Sequence, residues 1–353
     1  MDGGTAVARD EMVLTARREL RYTASQSTRA MRRGEQRAVS DAVQILLQIF
    51  LLVGLGLLVR RHNILPRDQT VQVFNMAVIN LTLPATVFLG LMNIREFSWQ
   101  LVTIPVIAVI VICASGLIAA LIAHRLRLRR ATAGAVVITS MCGSTGFFGT
   151  PIFGALARSN PEAYGQTVGM AALYSEIGTL IPLLTIVTIV AAWYGEKQAL
   201  TLERVLTGLF KFLPFVALVL GLIFWPETHS GRFPQAIRGT LGFLGQATVM
   251  LAMVALGMTV TIRDFSQYLR SVLSVNVVKL IIAPLIALAL SALFGLGPQA
   301  RFVVVIESAL PAIVIAIAYA DQYKLDVELA STAVFTTFVF SLITLPIFAA
   351  IAG

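Results

Sequence analysis

Three ionisable side chains, Glu176, Lys279 and Glu307, sit inside long apolar stretches of this 353-residue chain. A charge at the centre of a bilayer costs about 2.5–3.5 kcal/mol on insertion scales, so such residues are expected to face other protein or a water-filled space. Their chemistry is that of a proton carrier, a gate or a buried ion pair. The apolar background is also interrupted twice. Met141-Cys142-Gly143-Ser144-Thr145-Gly146-Phe147-Phe148-Gly149-Thr150-Pro151 places three glycines and a proline within nine residues, a composition that unwinds a helix. Glu307-Ser308-Ala309-Leu310-Pro311-Ala312 carries the second interruption, because Pro311 lacks an N–H and clashes with the preceding turn. Backbone groups freed in a bilayer cost several kcal/mol each unless protein or a water-filled cavity meets them. The N–H groups and dipole at the start of each resumed helix make an anion site. Gly143, Ser144, Thr145, Gly146, Pro151, Ser308 and Pro311 are therefore candidate substrate-binding residues. Asn80, one turn before Pro84, and Gln246, in the corresponding span of the second half, join them. A Gly-rich packing face and a simple proline kink are the alternatives.

The elements that must position these residues follow from composition. Hydrophobic residues make up 57% and charged residues 13%, against about 45–50% and 25% in ordinary soluble domains. Mean hydropathy is +0.84. Disorder, a disulfide scaffold and a secreted enzyme are excluded. Ten apolar spans lie near 42–60, 69–92, 99–123, 132–157, 164–194, 206–225, 237–261, 271–294, 300–320 and 328–352, each long enough to cross about 30 Å of hydrocarbon as a helix. They lack the alternation of membrane strands. The expected fold is an all-α polytopic membrane protein. A basic extension (1–41) precedes a first five-helix half (42–194), a cytoplasmic linker (195–205) and a second half (206–353).

The net charge of +9 reflects loop arginines rather than nucleic-acid binding. Odd-numbered loops carry 13 Lys and Arg, among them Arg125, Arg127, Arg129, Arg130, Arg263 and Arg270, and even-numbered loops carry 5, including Arg158 and Arg301. Odd loops are therefore expected inside the cell membrane and both termini outside. Eight arginines within residues 1–40 argue the other way, a conflict that shrinks if translation starts at Met31. The tail lacks the features of a signal peptide, although residues 10–22 could form a short amphipathic helix.

An internal repeat relates the halves. Ile94-Arg95-Glu96-Phe97-Ser98 returns as Ile262-Arg263-Asp264-Phe265-Ser266, each after the second span of its half. The same offset sets Gly143 against Pro311. Five spans per half makes the halves inverted, and inverted repeats with broken helices are a mark of secondary transporters. The two broken spans, the fourth and ninth, are expected to cross near the midplane.

Gly143-Ser144-Thr145-Gly146-Phe147-Phe148-Gly149-Thr150-Pro151 resembles the G-N-T-G-F-x-G-x-P segment of the auxin efflux carrier family, which includes plant PIN carriers and bacterial malonate or malate permeases. Asn80-Leu81-Thr82-Leu83-Pro84-Ala85 resembles its second-span element. Lys279-Leu280-Ile281-Ile282-Ala283-Pro284, Leu310-Pro311-Ala312 and Tyr319-Ala320-Asp321-Gln322-Tyr323 resemble its C-terminal block. The resemblance runs over about 42–352. It implies a ten-helix inverted-repeat carrier whose fourth and ninth helices cross at a site for organic anions. Ser144 stands where the family usually has Asn, so one hydroxyl donor replaces an amide's two.

Glu176, Lys279 and Glu307 are coupling or gating candidates. A structural pair between Lys279 and Glu307 is an alternative, although their depths place them too far apart to dictate a direct bridge. Glu176 could equally be a hydrogen-bonded helix contact. The chain is not expected to be an enzyme: His62, His124 and His229 lie in or beside loops, and neither HExxH nor a Walker motif occurs. Cys113 and Cys142 read as small buried hydrophobes, with no metal site and no cofactor. Expected partners are a small carboxylate or dicarboxylate and the lipid bilayer, with a homodimer possible and nucleic acid excluded. Coupling to H⁺ or Na⁺, a channel-like uniporter and a transport-dead sensor remain open at this level.

Overall fold

The computed structural model describes residues 44, 47–94, 98–195, 201–226, 233–259 and 268–352. The arginine-rich tail, the second copy of the matched pentapeptide with the centre of the first, and residues 196–200 of the linker lie outside these residues.

Among the described residues the chain is helical and contains no strand. In chain order the helices are α1 (47–61), α2 (Gln69–Met92), α3 (Trp99–Arg125), α4 (Arg130–Met141), α5 (Thr150–Ser159) and α6 (Thr167–Tyr194). There follow α7 (Leu202–Lys211), α8 (Leu213–Ile223), α9 (Gln235–Thr259), α10 (Leu269–Leu293), α11 (Pro298–Ala309), α12 (Ile315–Gln322) and α13 (Val327–Ala352). Six of them, α2, α3, α6, α9, α10 and α13, are long and apolar enough to cross a membrane. The pair α7–α8 is bent by 77° and could make a seventh span.

The span expected over 206–225 is thus bent near its start. Phe212 is extended, with φ −88° and ψ 99°, and Pro214 starts the new helix. Pro suits a first turn, where its missing N–H would have had no intrahelical acceptor. The interruptions at 142–149 and 310–314 divide the fourth and ninth apolar stretches into α4 with α5 and α11 with α12.

Proline also shapes turns within and beside the breaks. Wider π turns cover Val78–Thr82, Thr145–Gly149 and Val278–Ile282. Each ends two residues before a proline: Pro84, Pro151 or Pro284. A wider turn accommodates the proline ring and its absent donor without ending the helix. It also shifts which residues share a face downstream.

The two predicted halves interlock. α2 packs on α6, α8 and α9, α3 packs on α4 and α10, and α11 lies against α10 and α13. The core around the interruptions is apolar, with Phe148 and Phe153 fully buried and Phe148 edge-on to Phe338 at 6.0 Å between ring centroids.

Candidate functional site: the paired helix breaks

α4 ends at Met141, and Cys142 turns to an extended conformation with φ −111° and ψ 137°. α11 ends at Ala309, and Leu310 is extended with φ −63° and ψ 151°. The two extended pieces meet as an antiparallel bridge between Gly143 and Ala312. The Ser144 N–H donates to the Pro311 carbonyl at 2.9 Å, and the Ile313 N–H donates to the Cys142 carbonyl at 3.1 Å. Backbone that lost its helical partners is thus satisfied by the other break, as burial in an apolar interior demands. Gly143 pairs with the residue after the one the sequence offset assigned to it. The Ala312 N–H donates to Thr337 Oγ1 of α13 at 3.1 Å.

Ser144, Thr145, Pro151, Ser308 and Pro311 are buried, and Gly146 is half-buried. Thr145 Oγ1 donates to Ser175 Oγ at 3.1 Å. Tyr174 and Ser308 share a hydrogen bond of 2.8 Å between their hydroxyls. Two cavities flank the crossing. One, of about 240 Å³, is lined by Asn75, Ser144, Phe147, Ala252 and Ile313 among others. The other, of about 230 Å³, lies on the α6 side against Ser144, Gly146, Glu176, Thr179 and Tyr319. Residues at the start of both resumed helices, Phe147 and Ile315, line both cavities. First-turn N–H groups lack intrahelical acceptors, so a carboxylate in either cavity would find donors there.

The three ionisable residues converge on the same place. Lys279 and Glu307 are buried, and Lys279 Nζ donates to the Ser308 carbonyl at 2.7 Å. Glu307 is fully buried, and neither carboxylate oxygen has a hydrogen-bond partner among the described residues. A Cβ on Gly149 would stand 2.4 Å from Glu307 Oε2, and one on Gly143 would stand 3.1 Å from Lys279 Nζ. The acid and the amine therefore bracket the first break at its two ends. Glu176 is buried beside Gly146, and its oxygens also lack hydrogen-bond partners. Among the described residues no three His, Cys, Asp or Glu side chains are grouped to hold a metal.

The structure does not bring Asn80 or Gln246 to the crossing, and both are exposed. Asn80 lies inside the π turn Val78–Thr82, which changes the face it presents relative to a regular helix. The amide that lines the cavity is Asn75, and the polar contact between α2 and α9 is Thr86 with Thr248, 2.9 Å apart. Asn75, Tyr174, Ser175 and Thr337 were not singled out from sequence. Ordinary polar residues inside apolar spans carry little signal until their partners are known. The Pro84 signal one turn downstream marked the disturbed turn but not its consequence for facing.

A family model described as "Membrane transport protein" matches residues 41–349. An uncharacterized transporter of Methanothermobacter thermautotrophicus is 27% identical over 313 residues, covering 88% of this chain and 98% of the relative. An uncharacterized transporter of Methanocaldococcus jannaschii is 25% identical over 307 residues, covering 86% and 96%.

Proposed function

The chain belongs to the membrane transport protein family, that of the auxin efflux carriers, and on that premise we propose that it is a secondary carrier of small organic anions, working by alternating access. The observation that carries the reading is the bridge between Gly143 and Ala312, flanked by two cavities to which both resumed helices contribute. A continuous helix keeps its amides to itself. Two helices broken at one point offer two first turns to one ligand, a recurring arrangement for anionic groups in transporters. The Ser144 hydroxyl adds a donor, and carboxylates are the ligand class that this donor set suits.

In this reading ten helices form two inverted five-helix halves, with α4–α5 and α11–α12 each counted as one broken span and α7–α8 as one bent span. The bridge supports it: exchanging Ser144 with Ile313 and Cys142 with Pro311 maps one of its hydrogen bonds onto the other. Contacts at the helix ends support it too. Arg130 bonds the Trp193 carbonyl, Thr132 Oγ1 donates to Asp326 Oδ2 at 3.0 Å, and Tyr268 to Glu328 at 3.4 Å, all joining odd-numbered loops. Trp225 Nε1 donates to the Ile94 carbonyl at 2.8 Å, and Arg238 to Asn93 at 3.1 Å, joining even-numbered ones.

The test is uptake of labelled mono-carboxylates, dicarboxylates and aromatic acids into proteoliposomes. Saturable uptake and counterflow of one of these anions are expected. Transport of cations alone would overturn the reading, and binding without flux would make the protein a sensor.

A further inference from the structure

Glu176 is the polar side chain in the wall of the α6-side cavity that the protein leaves without a donor. It lines that cavity together with Gly146, and its Oε1 stands 3.9 Å from where a Cβ on Gly146 would be. The residue is 1% exposed, and neither carboxyl oxygen has a hydrogen-bond partner among the described residues. In either protonation state at least one of those oxygens is an acceptor with nothing to accept from. A buried polar group in that condition is costly, and in the wall of a binding cavity it points to a ligand. The nearby donors are committed elsewhere. Thr145 Oγ1 donates to Ser175 Oγ at 3.1 Å, Thr179 Oγ1 to the Tyr174 carbonyl at 3.2 Å, and the Tyr319 hydroxyl to the Leu183 carbonyl at 3.3 Å. The Ser175 hydroxyl also lies against Gly146, yet it does not meet Glu176 in hydrogen-bonding geometry. Among the described residues no lysine or arginine lines either cavity.

The rest of the wall has two characters. The first backbone bond of the resumed helix runs from the Phe148 N–H to the Ser144 carbonyl at 2.9 Å, so the Thr145, Gly146 and Phe147 amides precede it, without backbone acceptors among the described residues. They are the anion side. Leu180, Leu183, Leu184 and Phe212 make the apolar side. We propose that Glu176 selects the substrate, and that this cavity takes carboxylic acids bearing a hydroxyl or an ammonium beside the carboxylate and an apolar side chain beyond it. The carboxylate sits on the first-turn amides, the neighbouring donor on Glu176, and the side chain among the leucines. The Glu176 oxygens are covered in this conformation, so a ligand meets them once the side chain turns toward the cavity. That turn breaks no hydrogen bond, because Glu176 makes none. A plain carboxylate leaves an acceptor of Glu176 unanswered, and a site with such a group discriminates against the ligand that lacks the donor.

The inference rests on the carboxylate site of the carrier reading, but its test is binding and needs no flux. The full-length chain is purified in detergent and titrated by calorimetry with isocaproate, its α-hydroxy derivative and leucine, which share one carbon skeleton and differ at the α-carbon. The hydroxy acid, leucine or both should bind at least about tenfold more tightly than isocaproate. A preference for leucine alone identifies the donor as an ammonium, and one for the hydroxy acid alone as a hydroxyl. Glu176→Met, which replaces an unpartnered polar group by an apolar one of similar length, should weaken the preferred ligand about tenfold and isocaproate far less, so that the preference collapses. Glu176→Gln keeps an acceptor oxygen and should keep a preference for the hydroxy acid. Equal affinity of the parent for all three ligands, or binding of none, would overturn the proposal, and this comparison stands even if a variant does not fold. Loss of all three ligands alike in Glu176→Met would also overturn it, since that is what a merely structural role gives. Preferential binding without uptake would sink the carrier reading alone. Uptake of isocaproate as readily as of the other two would sink this inference alone.

Discussion

At Gly149 there is no room for a β-carbon, because one would stand 2.4 Å from Glu307 Oε2 and 2.5 Å from Oε1. The carboxylate leans on bare backbone, and the glycine is there for close approach as well as for the helix break. Gly149→Ala should therefore destabilise the protein by about 1–3 kcal/mol, the usual cost of overpacking. Glu307→Ala in the same chain should remove most of that penalty, whereas Glu307→Gln, of equal size, should not. Melting curves of the single and double variants check this, and additive effects would show that the two residues do not touch. Pro311 and Ser144 answer a different question. Pro311→Ala restores a donor, so α11 and α12 can join and withdraw their amides from the anion; uptake should fall although the helix gains up to about 3 kcal/mol. Ser144→Ala keeps the backbone bond to Pro311 and loses only a hydroxyl contact to a charge, worth about 1.5–3 kcal/mol in binding. Cys113, which was expected to be buried but is exposed on α3, whereas Cys142 is buried, is the control. Residual uptake at matched expression should decrease in the order Cys113→Ala, Ser144→Ala, Pro311→Ala. Parent-like uptake by both of the last two would move the site elsewhere.

Elements were legible where apolar length or a Gly/Pro interruption dominates. The runs at 69–92, 271–294 and 328–352 became α2, α10 and α13 within about two residues. Gly143 and Pro311 marked breaks that the structure pairs. What could not be read was facing. Asn75 lines the cavity while Asn80 is exposed; residues five apart lie on different faces of a helix, and which face of α2 meets the site depends on its packing partners, which the sequence does not give. Helix proximity was equally hidden. A Cβ on Gly56 of α1 would stand 2.3 Å from the Val254 carbonyl, and one on Gly257 of α9 would stand 2.1 Å from the Val53 carbonyl. The Gly56 and Gly257 backbones thus touch, joining the first helix to one of the second half through small residues, as membrane helices do. Gly257→Leu should force α1 from α9 and lower the melting temperature in detergent by several degrees. Gly54→Leu, beside Val53 in the chain but with open space where its β-carbon would stand, should not. Equal effects from the two would show that the α1–α9 contact is not what the glycine secures.

At the scale of the molecule, hydrogen bonds at the helix ends sort the loops into two groups. Hydrogen bonds at the helix ends join odd-numbered loops to odd and even to even, with Asp326 N–H also donating to the Ala131 carbonyl at 3.4 Å and Arg301 Nε to the Ala352 carbonyl at 3.1 Å. That grouping is what one crossing by each apolar stretch would give, the broken and bent ones included, an arrangement that would set the start of α1 and the end of α13 on the even side. Which side is cytoplasmic rests on the 13 Lys and Arg of the odd loops against 5 of the even ones, opposed by the eight arginines of the tail. Short loops near helix ends govern insertion more than long segments do, so the loop count should win. The prediction is a labelling pattern. In a chain with Cys113 and Cys142 replaced, single cysteines at Arg127 and at Arg263 should be protected from a membrane-impermeant maleimide in intact cells. Single cysteines at Asn160 and Gly297, in even loops, should react. Reaction at Arg127 and Arg263 with protection at Asn160 and Gly297 would reverse the orientation, with the arginine tail as the deciding charge. Opposite behaviour of Arg127 and Arg263 would break the odd–even grouping itself, and with it the ten-span inverted repeat.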